Sequence, residues 1–169
     1  MQTRSKATTS LYVRNFIFGV EDSLVSTVGL LSGIAIAGVP KKDIFITGIV
    51  LIFVEAFSMG VGSFLSEDFT ETYIEHNGKQ SHTKSISGAL IMLLSYFIAG
   101  FIPLSPYLLL SIPSAIWVSI ALSLLSLFAL GSLSAAFFGV NILKNGLKML
   151  LIGGVAITIG SVIGKFVNA

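Results

Sequence analysis

Residues 107–139 read YLLLSIPSAIWVSIALSLLSLFALGSLSAAFFG, and the solvent that tolerates this stretch decides the fold. A transmembrane helix needs roughly 20 mostly apolar residues. The stretch is too long for one straight span, so Pro113 is expected to separate a short interfacial piece (107–112) from a span of about 113–138. Four more segments qualify on either side of it, at about 15–38, 43–66, 86–103 and 146–167. AGVPKK closes the first of these, and the second runs into the polar stretch SEDFTETYIEH. Pro103 and Pro106, in IPLSP, are expected to make the turn after the third.

The composition agrees. Of 169 residues, 54% are hydrophobic and 11% charged, and the mean hydropathy is +0.93. A soluble domain carries about 25% charged residues, so this chain lacks the charge to cover a soluble surface. It reads as an all-α integral membrane protein, a single transmembrane domain over 1–169 with five transmembrane helices and a polar loop at 67–85. MQTRSKATTSLYVR is polar and basic, and no small-residue cleavage site follows the first apolar run, so a retained helix is expected rather than a removed signal peptide.

Orientation follows the distribution of Lys and Arg. With the N-terminus in the cytoplasm, the inside segments hold seven basic residues: Arg4, Lys6, Arg14, Lys79, Lys84, Lys144 and Lys148. The outside segments hold three: Lys41, Lys42 and Lys165. The C-terminus then falls outside or in a lumen, and in a prokaryote the membrane would be the plasma membrane. Tyr107 and Trp117 suit an interfacial belt near the outer face.

Several function classes drop out. There are no cysteines, which removes disulfides, thiolate metal sites and thiol catalysis. No serine has a plausible triad partner, both histidines (His76 and His82) fall in the one polar loop, and no Gly-Lys phosphate cradle appears. The chain does not read as an enzyme, and the weak positive balance of +2 says nothing about nucleic acid.

The informative residues are the acids inside the spans. An acid at the bilayer centre costs roughly 2.5–3.5 kcal/mol on insertion scales and is a functional candidate by default. Glu21, Asp22 and Glu55 qualify. Glu21 and Asp22 are adjacent, so they point about 100° apart on a helix. Asp22 shares a face with Asn15, Ser26 and Gly29, while Glu21 shares one with Arg14 and reads equally well as its structural charge partner. In VEAFSMGVGSFLSE, Glu55 and Met59 lie on one face, continued by Gly62 and Ser66. A carboxylate beside a thioether is a mixed environment, hard for divalent ions and soft for transition metals. Met59 also reads as core filler, and Met92 and Met149, with apolar neighbours, read only that way. Gly29-x-x-x-Gly33 and Ala156-x-x-x-Gly160-x-x-x-Gly164 are patterns for close helix packing.

In the polar loop Glu67, Glu71 and Glu75 recur every four residues, with His76 beside the last. A helical extension would align these like charges, and a bound cation would relieve their repulsion. They read either as a cytoplasmic metal-capture site or as a solvated juxtamembrane helix closed by Asn77-Gly78.

Three stretches together resemble the vacuolar iron transporter family. VRNFIFGVEDSLVSTVGLLSGIA looks like its first-helix pattern V-R-D-x-x-x-G-x-x-D-G-L, EAFSMGVGSFLSE like its Ser-Met-Gly second helix, and NGLKMLLIGGVAITIGSVIGKF like its closing helix. FIPLSPYLL is in keeping with the turn after the third helix. The resemblance implies a homodimer with a metal path at its interface, and export of Fe²⁺ or Mn²⁺ from the cytosol in exchange for protons, with the metal as cargo and no resident cofactor. Asp22 falls on the family's first-helix aspartate and Met59 on its second-helix methionine. Asn15 stands where the family has a second aspartate, Ser23 replaces a glycine, and Ser63 stands where many members have a glutamate. Glu21 and Glu55 are candidates to compensate. The long acidic insert between the second and third helices is absent.

The resulting expectation is a metal site of Asp22, Met59, Glu55 and Glu21, a path lined by Asn15, Ser26 and Gly62, and capture by Glu67, Glu71, Glu75 and His76. Partners are a divalent metal, protons, the bilayer and a second copy, with no nucleic acid. The alternative is a membrane-embedded sensor, scaffold or assembly subunit without transport activity.

Overall fold

The computed structural model describes residues 2–74 and 82–167. They form five helices: α1 (Gln2–Ile36), α2 (Lys41–Ile74), α3 (His82–Leu109), α4 (Ile112–Phe138) and α5 (Ile142–Val167). All five are long and apolar enough to cross a membrane. The outward faces of α4 and α5 carry Trp117, Leu125, Leu133, Leu151 and Val155 in the open, which is the expected surface toward hydrocarbon.

Two glycines set the turns. Gly38 and Gly139 both take positive φ, at 81° and 67°. At each, the next residue's N–H reaches back to a carbonyl five residues earlier: Val39 to Ile34 at 3.1 Å and Val140 to Ala135 at 2.9 Å. Gly38 and Gly139 themselves bond Ala35 and Ala136. This paired arrangement satisfies the last carbonyls of α1 and α4 and needs the left-handed conformation that glycine adopts without strain.

The turn expected at Pro103 and Pro106 lies further on. α3 runs through both prolines to Leu109, so the third span extends past 103 and residues 107–109 are helix rather than an interfacial piece. Pro106 cannot donate to Ile102, but the Ser105 hydroxyl bonds that carbonyl instead, at 2.9 Å. Ser119 of α4 bonds the Pro103 carbonyl at 2.7 Å. Side-chain hydroxyls thus re-satisfy backbone groups near the prolines, which lets the helix continue. The break comes at Leu110–Ser111, and Pro113 sits in the first turn of α4, where its missing N–H is no loss. The polar segment is also shorter than 67–85, because α2 continues through Glu71 to Ile74.

α1 is the central helix and touches all four others. One core cluster gathers Leu31, Ala35, Ile44, Ile52, Leu104, Tyr107 and Ala115 where α1 ends, α2 and α4 begin and α3 finishes. Tyr107 is fully buried there, so it is a core residue rather than part of a belt, whereas Trp117 is exposed. The two small-residue patterns face each other: a Cβ on Gly33 would lie 2.7 Å from the Gly160 carbonyl oxygen, and one on Gly164 would meet the Gly33 oxygen. α1 and α5 therefore touch backbone to backbone.

Candidate functional site

Three helices bring half-buried acids and a buried phenol within electrostatic reach of one another. Asp22 of α1 lies within electrostatic reach of Glu55 of α2. Tyr96 of α3 lies within reach of both carboxylates. Its hydroxyl is hydrogen-bonded to that of Ser26 at 2.8 Å, and its backbone carbonyl accepts from the Ser23 hydroxyl at 2.7 Å. Two carboxylates within electrostatic reach of each other repel, and a cation held by both would relieve that repulsion.

A cleft of about 1010 Å³ runs along the N-terminal half of α1 and the C-terminal half of α2, and neither Asp22 nor Glu55 lines it. Its walls include Asn15, Glu21, Met59, Gly62, Ser63 and Met92. Asn15 is 3% exposed, and its side-chain amide donates to the Ser63 hydroxyl at 2.9 Å. A Cβ added at Gly62 would meet nothing within 4 Å, so this wall of the cleft is open.

Glu21 and Asp22 face different ways, as adjacent helical residues must. Glu21 borders the large cleft and also a smaller cavity of about 250 Å³ between α1, α4 and α5, whose walls include Ser134, Asn145 and Lys148. Among the described residues Glu21 makes no hydrogen bond or ion pair. Arg14, expected as its partner, is 3.6 Å from Glu67 instead. The reason is geometric: Arg14 is exposed at the end of the bundle where α2 passes, and its long side chain reaches the neighbouring helix. Glu67 is therefore engaged in an ion pair. Glu71 lies one turn further along α2, and Glu75 and His76 fall outside the described residues.

Three residues in the assembly carried no site reading in the sequence. Tyr96 stands in the apolar run LSYFIAG, and its signal was a phenol that needs a polar partner when buried. Ser63 registered only as a departure from a family pattern. Met92, read as core filler, is 4% exposed and lines the same cleft as Met59. Among the described residues no three acidic or imidazole groups converge as a metal cluster. The chain offers two carboxylates within electrostatic reach of each other, with the Tyr96 and Ser26 hydroxyls near them.

Five helices long and apolar enough to cross a membrane place the chain in the class of multi-pass integral membrane proteins. The family model described as VIT family matches residues 13–81 and 69–165, and the chain belongs to that family. It is similar to vacuolar iron transporter 1 of Tulipa gesneriana, at 23% identity, with 93% of this chain and 87% of that protein covered. Vacuolar iron transporter homolog 2 of Oryza sativa subsp. japonica is 25% identical, covering 88% of this chain and 86% of the relative. Vacuolar iron transporter 1 of Arabidopsis thaliana is 21% identical, with 98% and 90% covered. The tulip comparison spans 216 positions against 169 residues here, so that relative carries stretches this chain lacks. The rice comparison spans 168.

Proposed function

We propose that this chain is a proton-coupled transporter taking a divalent transition metal, Fe²⁺ or Mn²⁺, out of the cytosol. The observation that carries the reading is that Asp22 and Glu55, from two membrane-spanning helices, lie within electrostatic reach of each other, near a cleft lined by Met59. Acids in a bilayer interior are costly and persist where they bind something. The similarity to proteins named vacuolar iron transporters supports iron as the cargo.

The mechanism follows from ligand chemistry. A carboxylate must be deprotonated to hold a metal ion, so metal binding releases protons and proton binding releases metal. Alternating occupancy of Asp22 and Glu55 is then antiport. Met59 biases the site toward softer transition metals over Mg²⁺ and Ca²⁺. Ser26, Asn15 and Gly62 line the route, and Glu21 adds negative charge at its edge. The excess of Lys and Arg in the first half of α1, between α2 and α3, and in the first turns of α3 and α5 supports a cytoplasmic N-terminus. Metal then enters the cleft from the cytosol, attracted at its mouth by Glu67, Glu71, Glu75 and His76. A two-fold homodimer supplies each ligand twice, which makes four carboxylates from two protomers.

Purified protein in liposomes tests this. Fe²⁺ or Mn²⁺ flux that moves protons the opposite way, and that vanishes in Asp22→Asn, is the expected result. Equal flux in Asp22→Asn overturns the assignment. One observation favours the second reading, a membrane-embedded sensor or scaffold: Asn15 and Ser63 satisfy each other as a neutral pair inside the cleft. That reading predicts metal binding without flux in the wild-type protein.

A further inference from the structure

Two cavities meet α1 at different depths. The cleft of about 1010 Å³ borders α1 as far as Glu21. A second groove, of about 450 Å³, begins at Val25 and Ser26 and runs along Gly29 and Gly33 against Ala156, Gly160 and Gly164 of α5. Asp22 lies on α1 between Glu21, the last α1 residue of the cleft, and Val25, the first of the groove. Ser26 stands four residues beyond Asp22, about 6 Å of helix rise. At that level the Ser26 hydroxyl meets the Tyr96 hydroxyl at 2.8 Å, and Tyr96 is fully buried.

We propose that the Ser26–Tyr96 hydrogen bond is the barrier between the cleft and the outer groove, and that the Tyr96 hydroxyl opens the path by leaving Ser26. The purpose of such a barrier rests on the transport reading above, while its geometry rests on the two cavities. Three features suit the role. The bond joins two neutral hydroxyls, so it is weak enough to break reversibly. The rest of Tyr96 is anchored, because the Ser23 hydroxyl holds its backbone carbonyl. Its phenolic oxygen also lies within reach of the field of Asp22 and Glu55. A cation held by those carboxylates attracts the phenolic oxygen as a further neutral ligand and loosens its hold on Ser26. The barrier opens when the site is occupied and stays shut when it is empty, so Tyr96 is a positioning residue as well as a gate.

The absence of cysteine makes a direct test clean. Leu30→Cys places a thiol in the outer groove, and Gly62→Cys places one in the inner cleft, where a Cβ meets nothing within 4 Å. A small cationic thiosulfonate reagent is added from the side of the α1 N-terminus, with and without Mn²⁺. In the otherwise wild-type chain, Mn²⁺ should speed labelling at Leu30→Cys. With Tyr96→Phe, labelling there should be about fivefold faster without Mn²⁺, the shift expected for one lost hydrogen bond, and no longer respond to it. Ser26→Ala removes the same bond from the other side and should match, which covers the case where Tyr96→Phe fails to insert. Labelling at Gly62→Cys should not change. Unchanged labelling at Leu30→Cys in both variants overturns the barrier, as does an equal rise at both cysteines, which means general loosening. A wild-type protein that moves no metal defeats the transport reading separately, because labelling is read without transport.

Discussion

The side-chain amide of Asn15 donates a 2.9 Å hydrogen bond to the hydroxyl of Ser63. Each residue departs from an acidic family pattern, and the fold makes them partners across α1 and α2. An acid at 15 would face the Ser63 hydroxyl, an acid at 63 would face the Asn15 amide, and acids at both would face each other. The neutral pair removes that repulsion and ties the N-terminal half of α1 to the far end of α2.

Replacing Asn15 by Leu keeps the branched shape, though not the volume, and strands the Ser63 hydroxyl. The expected cost is about 1–2 kcal/mol, read as a lower unfolding midpoint in detergent. Asn15→Asp retains the Ser63 contact and adds charge to the cleft. It should lower the metal concentration for half-maximal uptake, and no change would mean the cleft is not on the metal's route.

Glu55→Gln should reduce metal-driven flux by more than about tenfold, matching Asp22→Asn, because each removes one of two facing carboxylates. Proton release on metal binding should fall in the same variants. A large loss in Asp22→Asn with none in Glu55→Gln would reassign Glu55 as a structural acid.

Met59→Leu and Met92→Leu conserve volume, so each should cost less than about 1.5 kcal/mol in stability. Met59→Leu is expected to lower Fe²⁺ transport more than Mg²⁺ handling, measured by competition in liposomes. Equal effects on both ions would make Met59 packing alone. Met92 lines the same cleft and serves as the matched comparison.

The α1–α5 contact should be the least forgiving place in the bundle for a small increase in size. A methyl group on Gly160 would strike the Gly29 carbonyl, whereas one on Gly62 would meet nothing within 4 Å. Gly160→Ala should destabilise by about 1–3 kcal/mol and Gly62→Ala by close to nothing, as thermal unfolding of the two proteins side by side would reveal.

Breaking the Arg14–Glu67 pair should matter little. Arg14 is 68% exposed and the separation is 3.6 Å. Glu67→Gln is expected to cost under about 1 kcal/mol and to lose even that at high salt. A larger, salt-independent loss would show that the pair is more shielded than its exposure indicates.

What the sequence determined by itself follows from the bilayer as a solvent. Apolar length fixes five crossings, because a helix is the simple way to satisfy a backbone in hydrocarbon. The cost of burying charge marks Glu21, Asp22 and Glu55 before any fold is known. The helical repeat separates Glu21 from Asp22. Tertiary structure alone decided the partners: Glu67 rather than Glu21 for Arg14, Ser63 for Asn15, and Tyr96 beside Asp22 and Glu55. It also carried α3 through Pro103 and Pro106 and buried Tyr107. The reason is that a membrane helix is apolar on its lipid face and its protein face alike, so its sequence only weakly signals which side turns inward. Which polar groups meet depends on how far each helix is rotated and how deep it sits, and packing sets both.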